Sequence, residues 1–274
     1  MDWLSALVHL RTEGLPGVLV TVTSTRGHTP RNAGAKMLVS SDDTWDSIGG
    51  GNLEATAIDR AREMLSAATD VPQTMEMPLN FHATTRHGRQ CCGGEASVLL
   101  EPIEAPPVVA VFGIGHVGYE LARTLSRLPL VLHLADSRAD HAGAQRLEDL
   151  RDSAAQVHLH HAPAPEIVLR DLPAGAHVLI MTHDHSEDLI LCDTALGRGD
   201  LGAVGVIGSR AKWTRFRTQL REGGHEDAAI DTIDCPIGLP EITGKSPAVI
   251  AISVAADLVL TLQRHPSTTS QEHS

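Results

Sequence analysis

The chain has 274 residues and a formal net charge of −12, with 42% hydrophobic but only 3% aromatic side chains. That length allows one large or two modest domains, with a core built from Val, Leu, Ile and Ala. The negative charge opposes contact with a phosphate backbone, which argues against nucleic acid as a partner, and no apolar run approaches the length of a membrane span.

At the amino terminus, Asp2 stands where a secretion signal carries positive charge, so a cytoplasmic protein is expected. Leu4 to Leu10 read as a helix, and Val18 to Val22 and Lys36 to Val39 as strands. Between the two strands, Arg26-Gly-His-Thr-Pro-Arg31 and Lys36 place three cations and one hydroxyl, that of Thr29, in a short loop, which suits an anionic ligand or a solvated hairpin end. Asn52 to Ala67 form a helix, with Leu53, Ala57, Ala61, Met64 and Leu65 at helical spacing and Asn52 as its cap. The glycines before it, Gly49, Gly50 and Gly51, form either a backbone nest for an anion or carboxylate, or a mobile surface turn.

Met75 to Leu79 and Ser97 to Leu100 read as strands. Cys91 and Cys92 lie between them, beside Arg86, His87 and Arg89. Those cations would favour a thiolate that carries sulfur or touches a soft metal; the alternative is two small buried residues beside a glycine turn. With Cys192 and Cys235 standing apart, the four cysteines make neither a disulfide framework nor a zinc ribbon. The segment Glu101-Pro-Ile-Glu-Ala-Pro-Pro107 reads as a stiff linker. It separates an amino-terminal mixed α/β domain, 1–104, from a second domain, 108–265. The Ser- and Thr-rich tail, 266–274, is expected to be disordered.

The second domain alternates apolar runs at 108–112, 130–135, 156–160, 177–182 and 203–208 with helices at 117–128, 142–152, 164–171, 186–198 and 210–223. A last helix begins at Ser246-Pro247. This is the pattern of a parallel sheet covered on both faces. The first run leads straight into Gly113-x-Gly115-x-x-Gly118, and the second ends at Asp136. Together they are the fingerprint of a Rossmann-type βαβ unit that seats a phosphate on a helix N-terminus. Gly113 allows the turn, Gly115 lets a ligand approach, and Gly118 lets the helix pack close. His183 and Asp184 follow the fourth strand, at the edge where such sheets bind ligands. His183 is expected to contact the ligand, with Asp184 fixing a histidine tautomer. Ser209 and Arg210 end the fifth strand at the same edge. The stretch Gly238 to Ser246 lacks the spacing and feeding strand of a nucleoside-triphosphate loop.

Ten short blocks in order carry a resemblance to a known family: Gly27-His-Thr-Pro-Arg31, Gly34-Ala-Lys-Met-Leu-Val39, Ile48-Gly-Gly-Gly-Asn-Leu-Glu54, Cys91-Cys-Gly-Gly94, Phe112-Gly-Ile-Gly-His-Val-Gly118, Asp136-Ser-Arg138, Thr182-His-Asp-His185, Ile207-Gly-Ser-Arg210, Pro236-Ile-Gly-Leu239 and Ser246-Pro-Ala-Val-Ile-Ala-Ile252. From Val20 to Leu260 the chain resembles the XdhC family, the xanthine dehydrogenase accessory proteins related to CoxI. Some relatives carry cysteine where this chain has Asn52, so a thiol role there is not available.

The resemblance implies a chaperone for the molybdenum cofactor, the molybdopterin complex. Such a protein protects the cofactor, supports its sulfuration by a cysteine desulfurase and delivers it to apo xanthine dehydrogenase. On this reading the ligand lies between the domains. Gly113, Gly115, His116, Gly118, Asp136, Arg138, Ser209 and Arg210 hold its anionic or nucleotide-like part. Cys91, Cys92, His183 and Asp184 lie nearer the metal, with Gly50 and Gly51 as a further anion nest; Cys91 and Cys92 are the candidate metal ligands, and a homodimer is left open. The rival reading is an NAD(P)-dependent oxidoreductase, with Asp136 on the ribose hydroxyls. No distinct catalytic acid/base set supports that rival.

Overall fold

The computed structural model describes residues 1–78, 94–143, 148, 150 and 153–264. Two compact units divide the chain, Met1–Pro106 and Pro107–His265.

In the first unit, β1 (Gly17–Arg26), β2 (Lys36–Val39), β3 (Thr44–Asp46), β4 (Gln73–Pro78) and β5 (Glu95–Ile103) form an antiparallel sheet in the order β3-β2-β1-β5-β4. Strand alternation sends Val18, Val20 and Val22 to one face. There they pack on Leu53, Ala57, Ala61 and Met64 of helix α2 (Gly51–Ser66). The other face buries Leu38 against Ala6 and Leu10 of α1 (Trp3–Glu13). Asp2 caps α1 by accepting from the Ser5 N–H, and Gly14 ends it in the left-handed conformation at φ 67°. Strand β3, not expected from sequence, is three residues long, with Trp45 its only apolar side chain.

The second unit is a six-stranded sheet of β6 (Val108–Phe112), β7 (Val131–Asp136), β8 (Gln156–His161), β9 (His177–Ile180), β10 (Val204–Val206) and β11 (Ile233–Asp234). Every pairing is parallel, in the order β11-β10-β9-β6-β7-β8. Counted within the unit this is 6-5-4-1-2-3, the order of a Rossmann sheet. The order reverses between β6 and β9, which opens a crevice at the carboxyl ends of those two strands.

One face carries α3 (His116–Leu125) and α8 (Pro247–Arg264), where Leu121 and Leu125 meet Ala251, Val254 and Leu258 over Val109, Val111 and Leu132. The opposite face carries α4 (Pro165–Asp171), α5 (His185–Arg198) and α6 (Arg210–Glu222), packed on Ala110, Phe112, Val178 and Ile180. A short helix, α7 (Asp227–Ile230), precedes β11. The expected strand at 203–208 stops at Val206, because Ser209 already begins the turn into α6. Most of the helix expected at 142–152, and the tail from 266, fall outside the described residues.

His133, His158 and His160 fall on one face of the β7–β8 edge, since His133 pairs with His158 and Ala135 with His160. The His133 ring stacks on both partners, and its Nδ1 lies 3.1 Å from Nε2 of His160. Burial, and then the two neighbouring rings, push the His133 imidazole down from 6.5 to about 4. A depressed histidine contributes stability that is present above its unfolded pKa and is lost as pH falls toward the folded value. Unfolding free energy should therefore fall between about pH 7.5 and about pH 5, and fall less in His133→Gln, which takes up no such proton on unfolding. Denaturant titrations at the two pH values check this; equal losses in both proteins would contradict it.

Candidate functional site

Strand β6 runs out into Gly113, Ile114 and Gly115, and α3 starts at His116. Gly113 sits at φ 98°, and a Cβ there would lie 2.4 Å from the Met181 carbonyl oxygen. A Cβ at Gly118 would lie 1.9 Å from the Gly113 carbonyl oxygen. The fold itself therefore requires glycine at 113 and 118. Gly115 is different. Its φ is −70°, and the nearest atom to an added Cβ is Nη2 of Arg138, at 3.9 Å. Nothing in the packing demands a glycine at 115; the open volume over its backbone is what a ligand would need.

Neighbouring groups hold the loop from several sides. The Gly113 N–H donates to the Ala135 carbonyl at 2.8 Å. The Ile114 N–H donates to Oδ2 of Asp136 at 2.7 Å, and Nδ1 of His141 lies 3.0 Å from the Ile114 carbonyl oxygen. Asp136 is 2% exposed. Its Oδ1 also accepts from the Arg138 N–H at 3.0 Å and from Nε of Arg138 at 2.9 Å, while Oδ2 accepts from Nη2 at 2.8 Å. A carboxylate offers about four acceptor positions. Those of Asp136 are filled from within the chain, so the carboxylate braces the loop and Arg138 and has none left for a ribose hydroxyl. Burial alone would push this carboxyl up, but the bonds from Arg138 and Ile114 outweigh it and hold it below the ordinary range.

Among the described residues, α3, α5 and α6 follow β6, β9 and β10 at this carboxyl edge. Asp184 caps α5 by accepting from the Ser186 N–H at 2.6 Å, and Ser209 caps α6 through the Lys212 N–H at 3.3 Å. No side chain caps α3. Its first N–H groups have no partner within the helix, and they carry the positive end of its dipole. The role described for the Asp184 carboxylate is thus helix capping, through Oδ1. His183 is exposed in the turn before α5, and Arg210 is exposed at the start of α6. His116 lies with Gly115, Tyr119, Ser246 and Pro247 around a cavity of about 320 Å³ between the first turns of α3 and α8.

Sequence reasoning missed the ion pair behind this edge. Asp188 is fully buried, and its Oδ2 accepts from Nζ of Lys212 at 2.5 Å. Its Oδ1 accepts from the Thr182 N–H at 3.0 Å and the Thr182 hydroxyl at 2.7 Å. Lys212 also donates to the Ile207 carbonyl and lies over the Phe216 ring. The pair thus ties the ends of β9 and β10 together, and Thr182 lies directly against Gly113. A signal was present. Asp188 precedes Leu191, Cys192 and Ala195 on the buried stripe of α5, and Lys212 precedes Phe216 and Leu220 on that of α6. A charge at a core position demands a partner.

Gly50 and Gly51 belong to the first unit. Gly49, Gly50 and Gly51 all have positive φ, and Gly50, not Asn52, is the N-cap of α2. The nest expected there forms, but the chain fills it: Oε2 of Glu54 accepts from the Ile48 and Gly50 N–H groups, both at 3.1 Å, and from the Ser47 hydroxyl. The cationic loop packs beside it, since a Cβ at Gly49 would lie 2.6 Å from the Pro30 ring. Gly94 is equally crowded, 2.5 Å from the Arg26 and His28 carbonyl oxygens by the same construction. Three of the first unit's sequence blocks thus meet. Cys91 and Cys92 lie outside the described residues. Among the described residues no three His, Cys, Asp or Glu side chains are grouped to hold a metal ion, and Cys192 is buried with its thiol pushed up by burial.

Residues 109–258 match the XdhC Rossmann domain, and residues 10–75 match the XdhC and CoxI family. A protein of Escherichia coli (strain K12) described as uncharacterized protein YqeB is 26% identical over 265 residues, which are 94% of this chain and 46% of that protein. The chain thus spans about half the length of that curated relative. Among solved structures, a Bacillus halodurans protein described as a xanthine dehydrogenase aligns over 97% of both chains at 19% identity and a TM-score of 0.48. The tRNA N6-threonylcarbamoyladenosine dehydratase of E. coli aligns over 59% of this chain and 88% of its own, at 15% identity and a TM-score of 0.41. The Rossmann-domain match alone covers more than half of the sequence, and the chain belongs to the XdhC and CoxI family.

Proposed function

We propose that the protein is a carrier for the molybdenum cofactor: it binds the phosphorylated pterin complex as cargo, shields it, supports its sulfuration by a cysteine desulfurase and hands it to apo xanthine dehydrogenase in the cytoplasm. The observation that carries this reading is Gly115. It is the glycine that the packing does not require, and it lies at the uncapped start of α3 beside a guanidinium. Backbone N–H groups, a helix dipole and an arginine together suit a phosphate. Membership of the XdhC and CoxI family supports the remainder of the reading.

Gly113 and Gly118 shape the loop, while Asp136 and His141 hold it rigid, so the chain spends little entropy on ordering the site when cargo arrives. No metal-ligand set is assembled among the described residues. In this reading Cys91 and Cys92, which lie outside the described residues, serve the sulfur and metal end. The strand order favours one other reading, a nicotinamide-dependent oxidoreductase, because dinucleotides bind at the same switch point in such sheets.

The two readings separate on a column. The protein is incubated without oxygen with cofactor released from a molybdenum enzyme, then gel-filtered and analysed for pterin and molybdenum. Stoichiometric co-elution of both is expected. Free elution of the pterin, with NAD+ held by the protein and steadily reduced by a small substrate, would overturn the carrier reading.

A further inference from the structure

We propose that Arg138 closes the glycine-loop site at the end where the adenosine half of a dinucleotide would leave it, so that the site takes a terminal phosphate monoester and rejects NAD+ and NADP+. This rests on the reading that the ligand's phosphate sits over Gly115, and it adds the chemical class that fits there.

In a dinucleotide site the pyrophosphate crosses the second glycine, and the adenosine ribose then reaches the acidic residue that ends the second strand. Here those two points are Gly115 and Asp136, and Arg138 stands in the gap between them. Its Nη2 is 2.8 Å from Oδ2 of Asp136 and 3.9 Å from the position of a Cβ on Gly115. The guanidinium cannot swing aside cheaply. Nε and Nη2 form a two-pronged pair with a carboxylate that is 1% exposed, and the Arg138 backbone N–H is bound to the same group. Leaving would strip a buried carboxylate of two charge-assisted bonds.

The same pinning disables the ribose contact. A ribose diol needs two acceptor positions on the acid, and the Arg138 side chain occupies one on each oxygen. What the pair offers instead is the outer edge of the guanidinium. Nη1 makes no hydrogen bond among the described residues, and the side chain is 29% exposed. Asp136 first, and then Asp140 and Glu187, hold the guanidinium in its charged form. A terminal phosphate has more charge and more free oxygens to give this edge than the interior phosphate of a dinucleotide. The cradle therefore has N–H groups on one side, a fixed cation on another, and no exit past Asp136.

The test uses the full chain in titration calorimetry, with dihydroneopterin monophosphate as a metal-free pterin monoester and with NAD+ and NADP+. The monoester should bind wild type at least about tenfold more tightly than either dinucleotide. In Arg138→Ser the two classes should move in opposite directions. The monoester should weaken by about tenfold or more, while NAD+ tightens because each Asp136 oxygen regains an acceptor position for the ribose. Arg138→Lys keeps the charge without the fork and should bind the monoester with intermediate affinity. Parallel weakening of both ligands in Arg138→Ser would mean that the arginine only supports the fold. Tighter binding of NAD+ than of the monoester by wild type would overturn the proposal outright. If the molybdenum cofactor binds and is delivered, but with affinity unmoved by Arg138→Ser, this inference falls and the carrier reading stands. If the monoester binds in an Arg138-dependent manner but molybdenum cofactor is not delivered, the carrier reading falls and this inference stands.

Discussion

Replacing Asp188 with alanine is expected to cost the protein about 3–5 kcal/mol, because it leaves the Lys212 ammonium buried without its counter-charge. The carboxylate is fully buried and accepts from Nζ of Lys212, the Thr182 N–H and the Thr182 hydroxyl. The Lys212 side chain is only 11% exposed. Truncation therefore removes one charge, strands another and frees a backbone N–H at the end of β9. Asp188→Asn should recover only part of the loss, since an amide offers one acceptor oxygen where the carboxylate offers two. A double variant, Asp188→Leu with Lys212→Met, should be markedly more stable than Asp188→Ala, because an apolar pair of similar volume needs no solvation. Urea unfolding with an unchanged slope checks all three. A loss below about 1 kcal/mol in Asp188→Ala would show that water reaches Lys212 and that the pair is not a buried one.

Gly115→Val is expected to abolish phosphate-dependent ligand binding, by about a hundredfold or more, while leaving the fold intact. The branched side chain would occupy the volume over the loop that no protein atom fills, and the φ of −70° accepts it without strain. Gly118→Ala is the opposite case. Its Cβ would lie 1.9 Å from the Gly113 carbonyl oxygen, a backbone atom that cannot turn away. That variant should lose stability by about 3 kcal/mol or more. The contrast separates a glycine that serves a ligand from one that serves packing. If both variants unfold, or if Gly115→Val binds as wild type does, the site is misplaced.

Much of the Rossmann unit could be read from sequence, because strands buried on both faces appear as unbroken apolar runs such as 108–112. β11 escaped because two paired residues make no pattern, and β3 because three residues carry one apolar side chain. The cap of α2 was misassigned to Asn52 on propensity. The nest N–H groups are instead satisfied by Glu54 from inside the helix, which leaves Gly50 as the cap. Within the site, Gly113 and Gly118 were legible because steric need is local. The role of Asp136 was not. The same motif serves whether its carboxylate faces a ribose or turns inward, and what decides is the reach of a side chain two positions later. The Asp188–Lys212 pair joins two helices, so no local pattern links its halves, and only their places on the buried stripes of α5 and α6 mark them. The histidine stack needed strand register: His158 and His160 share a face by their spacing, but only the pairing of β7 with β8 brings His133 to them.

If the protein is a carrier whose Gly115 cradle holds the phosphate of its cargo, delivery is the property that tests it most directly. Wild type and Gly115→Val are each incubated with molybdenum cofactor in the absence of oxygen, freed of unbound cofactor by gel filtration and mixed with apo xanthine dehydrogenase. Xanthine oxidation should be restored by the wild-type fraction beyond what an equal amount of free cofactor achieves, and the Gly115→Val fraction should restore none. Activation no better than free cofactor, or equal activation by the two proteins, would contradict the account.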